Sequence, residues 1–377
     1  MSNIMGVINL ANDCKELQDL TIFRCNASVP FGGRYRFIDF PLSSMINSDI
    51  TNVAILANKK YTSLMDHVKN GKAWDLNRKR DGLFLLPPAD YNNFPGMKGD
   101  IKNFYWHLDY FYRSNQEYVI ITESNILLNI DYRDVLKYHM QNNADVTVVC
   151  ANRKQIASDT WNNYCKAIRC DDEGFIKSMS DVDGRDAGGS EDTIISLNMY
   201  VMKRTFLIEL IESSMIKGHT DLINHSIIKN INLFKIAAYK FTGYVAPIFS
   251  IKDYYHHSMQ LLNSETRNQL FNLPGKIFTK IKDEPPVKYL KDADVCNSLI
   301  ANGCLVEGEI NNSIVFRGVK VHKGAKIKNC IIMQRCEISE NAVLENVILD
   351  KEVFVSKGAI LKNEDGNPNV VARRMVI

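Results

Sequence analysis

From Ile300 onward, aliphatic residues recur at a spacing that few folds can use. Ile300, Leu305, Ile310, Val315, Val321, Ile327, Ile332, Ile338, Leu344, Leu349, Val355 and Ile360 are separated by steps of five or six residues. An α-helix repeats every 3.6 residues and a strand every two, so neither accommodates such a step. Short strands joined by turns, with one inward aliphatic residue per face of a triangular coil, do accommodate it; this is the hexapeptide pattern of a parallel β-helix. Gly303, Gly308, Gly318, Gly324 and Gly358 fall between the aliphatic positions, where the chain must turn. At three positions per coil the run predicts about four coils, more than the three that stacked repeats usually require.

The preceding part has a different texture. Met5–Leu10, Val53–Ala57, Tyr118–Thr122 and Val146–Ala151 are short apolar runs bounded by polar turns, as buried strands are. Between them lie helix candidates at Ser44–Ser48, Tyr61–Asn70 and Ile101–Ser114. Strands separated by helices favour right-handed crossovers and a mostly parallel sheet. The expectation is an α/β domain over residues 1–253, a linker over 254–290 and a β-helix domain over 291–377. The linker begins with a helix at Asp253–Asn263 and is then broken by Pro274, Gly275, Pro285 and Pro286.

Composition excludes several classes of function. Lysine and arginine total 46 against 43 aspartate and glutamate, so no strong nucleic-acid footprint is expected. No apolar run approaches the length of a membrane-spanning helix, and the N-terminal residues lack the pattern of a secretory leader. The nine cysteines are scattered, without a CxxC pair. Free thiols in a cytoplasmic protein are the expectation.

Val29–Ile50, VPFGGRYRFIDFPLSSMINSDI, resembles the sugar-nucleotide pyrophosphorylases, and in particular the glucose-1-phosphate adenylyltransferase (ADP-glucose pyrophosphorylase) family. Further landmarks follow in order. They are Trp74-Asp75-Leu76 before Pro87-Pro88, Gly99 with the helix to Asp109, Ile130-Asp131-Tyr132, Ser196–Val201, Ile277–Tyr289, and Asn297–Cys304 at the start of the β-helix. The resemblance spans essentially the whole chain. It implies a Rossmann-like nucleotidyltransferase domain followed by a left-handed parallel β-helix. The reaction it implies joins ATP and glucose 1-phosphate into ADP-glucose and pyrophosphate, for glycogen or starch synthesis.

That reaction brings several negative charges together, so it demands a backbone cradle, cationic side chains and carboxylates that hold Mg²⁺. The family's cradle resembles GGxGxRLxPLT; here Ala11–Thr21 reads ANDCKELQDLT, without glycine or arginine. Asp13, Glu16 and Asp19 add negative charge that Lys15 alone cannot offset. The family's two metal carboxylates correspond to Asn125, in SNILLNIDY, and Pro247, in VAPIFSIKDY. An amide is a far poorer Mg²⁺ ligand than a carboxylate, and proline is none. Asp181 falls where the family has its sugar-phosphate lysine, and Gly99-Asp100-Ile101-Lys102 replaces GTAD. Asn58 replaces a glutamine near the adenine, and Asn26 a lysine before the PFGG motif. Asn58, Gly99 and Ser196 are thus remnants of substrate-binding positions, and no catalytic residue or metal ligand is expected.

The resemblance implies the catalytically deficient type of subunit found in bacterial ADP-glucose pyrophosphorylases. Its partner would be a homologous catalytic subunit, in a heterotetramer, and Mg²⁺ would be required by the active members but not bound by this chain alone. Arg24 and Arg36 match family positions that contact a sugar-phosphate effector; structural salt bridging is the alternative for both, and Asp39 is a candidate partner. Two other functions stay open: an active nucleotidyltransferase using Glu123 as substitute metal ligand, and a stand-alone module sensing a sugar phosphate or nucleotide. His322, the one histidine of the β-helix, invites an acyltransferase reading, but a solvated turn residue is expected. His256-His257 and Arg373-Arg374 are expected to be surface pairs.

Overall fold

The computed structural model describes residues 3–11, 17–89, 99–156, 161–181, 193–363 and 368–377. Contacts group the chain into two units. Residues 40–247 and 271–278, with the first strand, form one; residues 17–39, 248–270 and 279–377 form the other. A linear division into domain, linker and domain does not express this. The hairpin segment before Asp39 and the helix after Ile248 cluster with the β-helix because that is where their side chains pack.

The first unit is built on a nine-stranded sheet. Ile4–Asn9 lies at its centre, parallel to Asn52–Leu56 on one side and Tyr118–Thr122 on the other, and Gly82–Leu86 extends the parallel array to an edge. Ile4–Asn9, Asn52–Leu56 and Tyr118–Thr122 are runs read from the sequence, shifted by at most one residue, whereas Gly82–Leu86 was not among them. The long strand Ile194–Lys203 enters antiparallel and joins Tyr118–Thr122 to Val146–Asn152, which Ile236–Lys240 flanks in parallel. Every residue of Ile4–Asn9 and Tyr118–Thr122 is buried, as expected for strands covered on both faces. Met5, Val7, Phe104, Val119, Val148 and Leu207 share one continuous core. The helix expected over Ile101–Ser114 is broken into Ile101–Trp106 and Leu108–Arg113. His107 leaves helical geometry at the break, and its Nε2 lies 2.7 Å from the Pro87 carbonyl oxygen.

In the second unit, three parallel sheets of five short strands each form the coils, the arrangement of a left-handed β-helix. Strand partners lie 17 residues apart along most of the stack but 15 apart between Leu299 and Ile314. The sequence steps of five and six therefore sum to real coil lengths. Two aliphatic positions need correction. Val306, not Leu305, is aligned with Val321, Ile338 and Val355, and Leu361, not Ile360, continues the column Ile310, Ile327, Leu344. Ile360 is 69% exposed. In both places two adjacent aliphatic residues compete for one inward slot, and the pleat admits only one. The stack also starts earlier than the aliphatic run, with Lys288–Tyr289 and Asp294–Cys296, so five strands stand in each sheet.

One corner of the coil is held by asparagines. Asn297, Asn312, Asn329 and Asn346 all have positive φ, a conformation asparagine tolerates better than most residues. Their amides form a ladder, each Nδ2 donating to the next Oδ1 at 2.7–3.1 Å. Against this unit packs the helix Ile251–Gln260, capped by Ser250 and Asp253 in a capping box. Its Tyr255 hydroxyl donates to the Asn329 carbonyl, and its Tyr254 hydroxyl to the Pro30 carbonyl.

Candidate functional site

In a sheet of parallel strands, ligands bind beyond the strands' carboxyl ends. There the first unit holds a pocket of about 70 Å³, lined among others by Asn9, Asp100, Glu123, Lys166, Asn198 and Asp221. Small-molecule sites usually occupy about 300–1,000 Å³, so this space is too small for a sugar phosphate and far too small for that together with ATP. Part of the closure is backbone. Gly99 has φ of 79°, and a Cβ built on it would stand 1.9 Å from the Thr220 carbonyl oxygen. Ile101 N donates to that same oxygen, and Leu222 N donates to Asp100 Oδ1. The Gly99–Ile101 turn is thereby fastened to the Thr220–Leu222 segment.

The charge of the pocket is as unfavourable as its size. Among the described residues Asp100, Glu123 and Asp221 line it against one cation, Lys166, whose ammonium is engaged by Asp181. Burial, with the nearby Asp221, pushes the Asp100 carboxyl up to about 7. Its Oδ2 accepts from Asn9 Nδ2 at 2.8 Å. Glu123 accepts from Asn198 Nδ2 at 3.2 Å. A phosphate entering here would meet three carboxylic groups and a lysine already paired.

The two positions expected to correspond to metal carboxylates lie at neighbouring short strands. Ile126–Leu127 pairs antiparallel with Ala246–Pro247, setting Pro247 opposite Ile126 and beside Asn125. On the correspondence expected from the sequence, an amide and a pyrrolidine ring stand where a two-carboxylate site would have its carboxylates. Asn125 is 3% exposed and Pro247 is buried. These residues do not fit Mg²⁺, which prefers carboxylate and water oxygens in octahedral array. Among the described residues no group of three His, Cys, Asp or Glu side chains could hold a metal ion.

The remaining sequence candidates are dispersed. Asp181 is an exposed partner of Lys166. Asn58 donates to the Ala11 carbonyl and accepts from Lys59 N, and Ser196 is fully buried, with Asn198 N donating to its hydroxyl. Of the loop expected to lack a phosphate cradle, Asp13, Lys15 and Glu16 lie outside the described residues, whereas Asp19 is exposed. Lys166, Tyr164, Asn198 and Asp221 line the pocket without having been singled out in the sequence. They arrive from separate strands and turns, and no local motif marks them.

The second unit carries the opposite charge problem. Arg24 Nη2 donates to both carboxylate oxygens of Asp350 at 2.8 Å, in a pair whose side chains are 3% exposed. Arg24 Nη1 is buried and has no hydrogen-bond partner among the described residues. Next to this pair, Lys351 is pushed down to about 6 by burial and by Arg36, Arg24 and Lys282. Lys282 in turn is held below the usual lysine range by burial and by Arg317, Arg335 and Arg36. Burial, with Arg34 beside it, lowers Arg317 likewise. Arg36 stands in the hairpin formed by Pro30–Phe31 and Tyr35–Arg36, where Gly32 and Gly33 supply the left-handed turn. Asp39 accepts from the Arg36 backbone N–H at 3.0 Å.

Comparison with known proteins joins these observations. The nucleotidyl transferase profile matches residues 13–160 and the GlmU-like C-terminal hexapeptide profile residues 285–367. The chain is 40% identical to the glycogen biosynthesis protein GlgD of Bacillus subtilis, over 87% of this chain and 83% of that one. It is 30% identical to the glucose-1-phosphate adenylyltransferase of Clostridium perfringens strain SM101, over 86% and 83%. The chain belongs to the glucose-1-phosphate adenylyltransferase family. Within the family it also matches the GlgD protein of Geobacillus stearothermophilus at 38% identity, above the 28% it shares with that organism's glucose-1-phosphate adenylyltransferase.

Among the described residues no helix is long and apolar enough to cross a membrane. His256-His257 is not the surface pair expected, because His257 is fully buried on the inner side of its helix while His256 is exposed. His322 Nε2 lies 2.9 Å from Glu337 Oε1, His256 and His257 stack edge to face, and Arg373 and Arg374 both donate to Glu352. Cys25, Cys150, Cys165, Cys170, Cys296, Cys304, Cys330 and Cys336 are free thiols.

Proposed function

We propose that this chain is a non-catalytic, regulatory subunit for glucose-1-phosphate adenylyltransferase in glycogen biosynthesis, working in the cytoplasm beside an active homologue in a heterotetramer. The observation that carries the reading is the seating of Asn125 beside Pro247, where transfer at the α-phosphorus of ATP needs two carboxylates around Mg²⁺. The small acidic pocket supports it from the substrate side. In this reading the Mg²⁺ belongs to the partner's active site, and this chain needs none of its own.

The regulatory part of the proposal rests on the cations of the second unit. Arg36, Lys282 and Lys351 lie close enough to lower one another's proton affinity, with Asp350 already bound to Arg24 and Asp39 holding the Arg36 backbone. An anionic effector such as a sugar phosphate would relieve their mutual repulsion. Arg24 then positions the cluster through Asp350, and Arg36 contacts the effector.

The test is an ADP-glucose assay of this chain, of the active homologue, and of both together. The purified chain with ATP, glucose 1-phosphate and Mg²⁺ should form negligible ADP-glucose, and the mixture should exceed the homologue alone. Equal activity of homologue and mixture would overturn the regulatory role. Turnover by this chain alone, abolished by Glu123→Ala, would establish the alternative of an active enzyme with a substitute ligand.

A further inference from the structure

At the end of the first unit's sheet opposite the acidic pocket lies a cavity of about 1030 Å³. Its floor is made by the starts of the parallel strands. Ile4 opens the first strand, Thr51 and Asp81 stand just before Asn52–Leu56 and Gly82–Leu86, and Gln116 precedes Tyr118–Thr122. One wall is a single face of the helix Tyr132–Gln141, which presents Arg133, Leu136, Lys137, Met140 and Gln141 at the spacing of helical neighbours.

The charges of this cavity divide into committed and uncommitted ones. Arg133 donates to Asp131 and Asp49, and Arg78 to Asp75, so these cations are already balanced. Asp81 accepts from Gln116 Nε2 and Thr51 Oγ1. Arg80, from the turn before Gly82, and Lys137, from the helix, have no carboxylate partner among the described residues. They reach the cavity from separate elements. Beside them is an apolar strip: Met140 is 53% exposed and Leu136 is half-buried, over the buried Ile4. Two free cations on different walls suit a dianionic group, and an adjoining apolar strip suits a flat organic body.

We propose that this cavity binds a nucleoside phosphate, its phosphates between Arg80 and Lys137 and its base against Leu136 and Met140. The site is separate from the strand-end pocket, since the central strand Ile4–Asn9 runs from one to the other. Calorimetric titration of the full chain with ADP, with adenosine and with inorganic pyrophosphate tests it. ADP should bind saturably at one site, and adenosine and pyrophosphate each about tenfold or more weakly. Arg80→Ser/Lys137→Ser should weaken ADP about tenfold or more, whereas Met140→Ser should weaken ADP a few-fold and leave pyrophosphate unchanged. All three substitutions are at the surface, and circular dichroism of each should match the parent. Lys166→Ala, in the strand-end pocket, should leave ADP binding intact. No saturation up to about 5 mM ADP, binding indifferent to the Arg80/Lys137 pair, or binding lost in Lys166→Ala would each overturn the proposal.

Discussion

At the strand ends of the first unit, carboxylic groups crowd around one lysine; in the second unit, Lys351 is half-buried beside Arg36 and Arg24, with Asp350 as a nearby counterion. Burial penalises whichever charge is in excess. In the first unit it holds Asp100 protonated near neutrality, and in the second it favours the uncharged amine of Lys351. The contrast sets an excess of carboxylic groups in one unit against an excess of cationic groups in the other. It also gives the two regions opposite responses to pH, which makes the comparison measurable.

The largest effect is expected where the second unit's charges are fully desolvated. Arg24→Ala would leave Asp350 buried without its guanidinium, at a cost of about 3–5 kcal/mol, read as a fall in unfolding midpoint in denaturant. Arg24→Met/Asp350→Leu should regain most of it. If the single variant loses nothing, the pair is not the structural anchor described.

Lys351→Met comes next. The folded-state pKa of Lys351, about 6, lies below its unfolded value, so the folded chain binds fewer protons between the two and stability rises with pH across that window. Methionine abolishes that slope and should stabilise the chain at pH 7 on the order of 2 kcal/mol. Sulfate should raise the melting temperature of the parent more than that of the variant. A parallel pH dependence of the two proteins would remove the cation cluster from the comparison.

Asp100→Asn tests the first unit and should show the reverse sign. Its folded-state value of about 7 lies above the ordinary one of 3.8, so the stabilisation is full below the lower value and lost as pH rises through the upper one. The variant should be flatter with pH across that interval, gaining on the order of 1 kcal/mol over the parent at pH 8. The smallest effect is expected at His322 and Glu337, a partly exposed pair. His322→Gln should change stability by less than about 1 kcal/mol and leave any stimulation of the active homologue unaltered.

Much of this architecture was legible in the residues because repeats and buried strands write their geometry locally. The steps from Ile300 to Ile360 marked the coils, and the runs at Met5, Val53, Tyr118 and Val146 marked the sheet. Where two aliphatic residues were adjacent, as at Leu305-Val306, the inward one could not be chosen without the neighbouring coils. The loss of carboxylates at Asn125 and Pro247 was readable by position, but their placement side by side needed the short pairing that joins them. Lys166, Lys282 and Lys351 carried no local signal. Their significance depends on burial and on charges distant in sequence, which no short motif encodes.

The spacing of 15 residues for one coil and 17 for its neighbours, with 22 between Val347 and Asn369, shows what this scaffold measures. It counts aliphatic columns, and the corners absorb whatever length is left over. Length changes away from the asparagine corner therefore leave the columns in register, whereas a single slip within a two-residue strand does not. Such a ruler lets the outer face of the second unit change in length and charge while every inward contact stays in step.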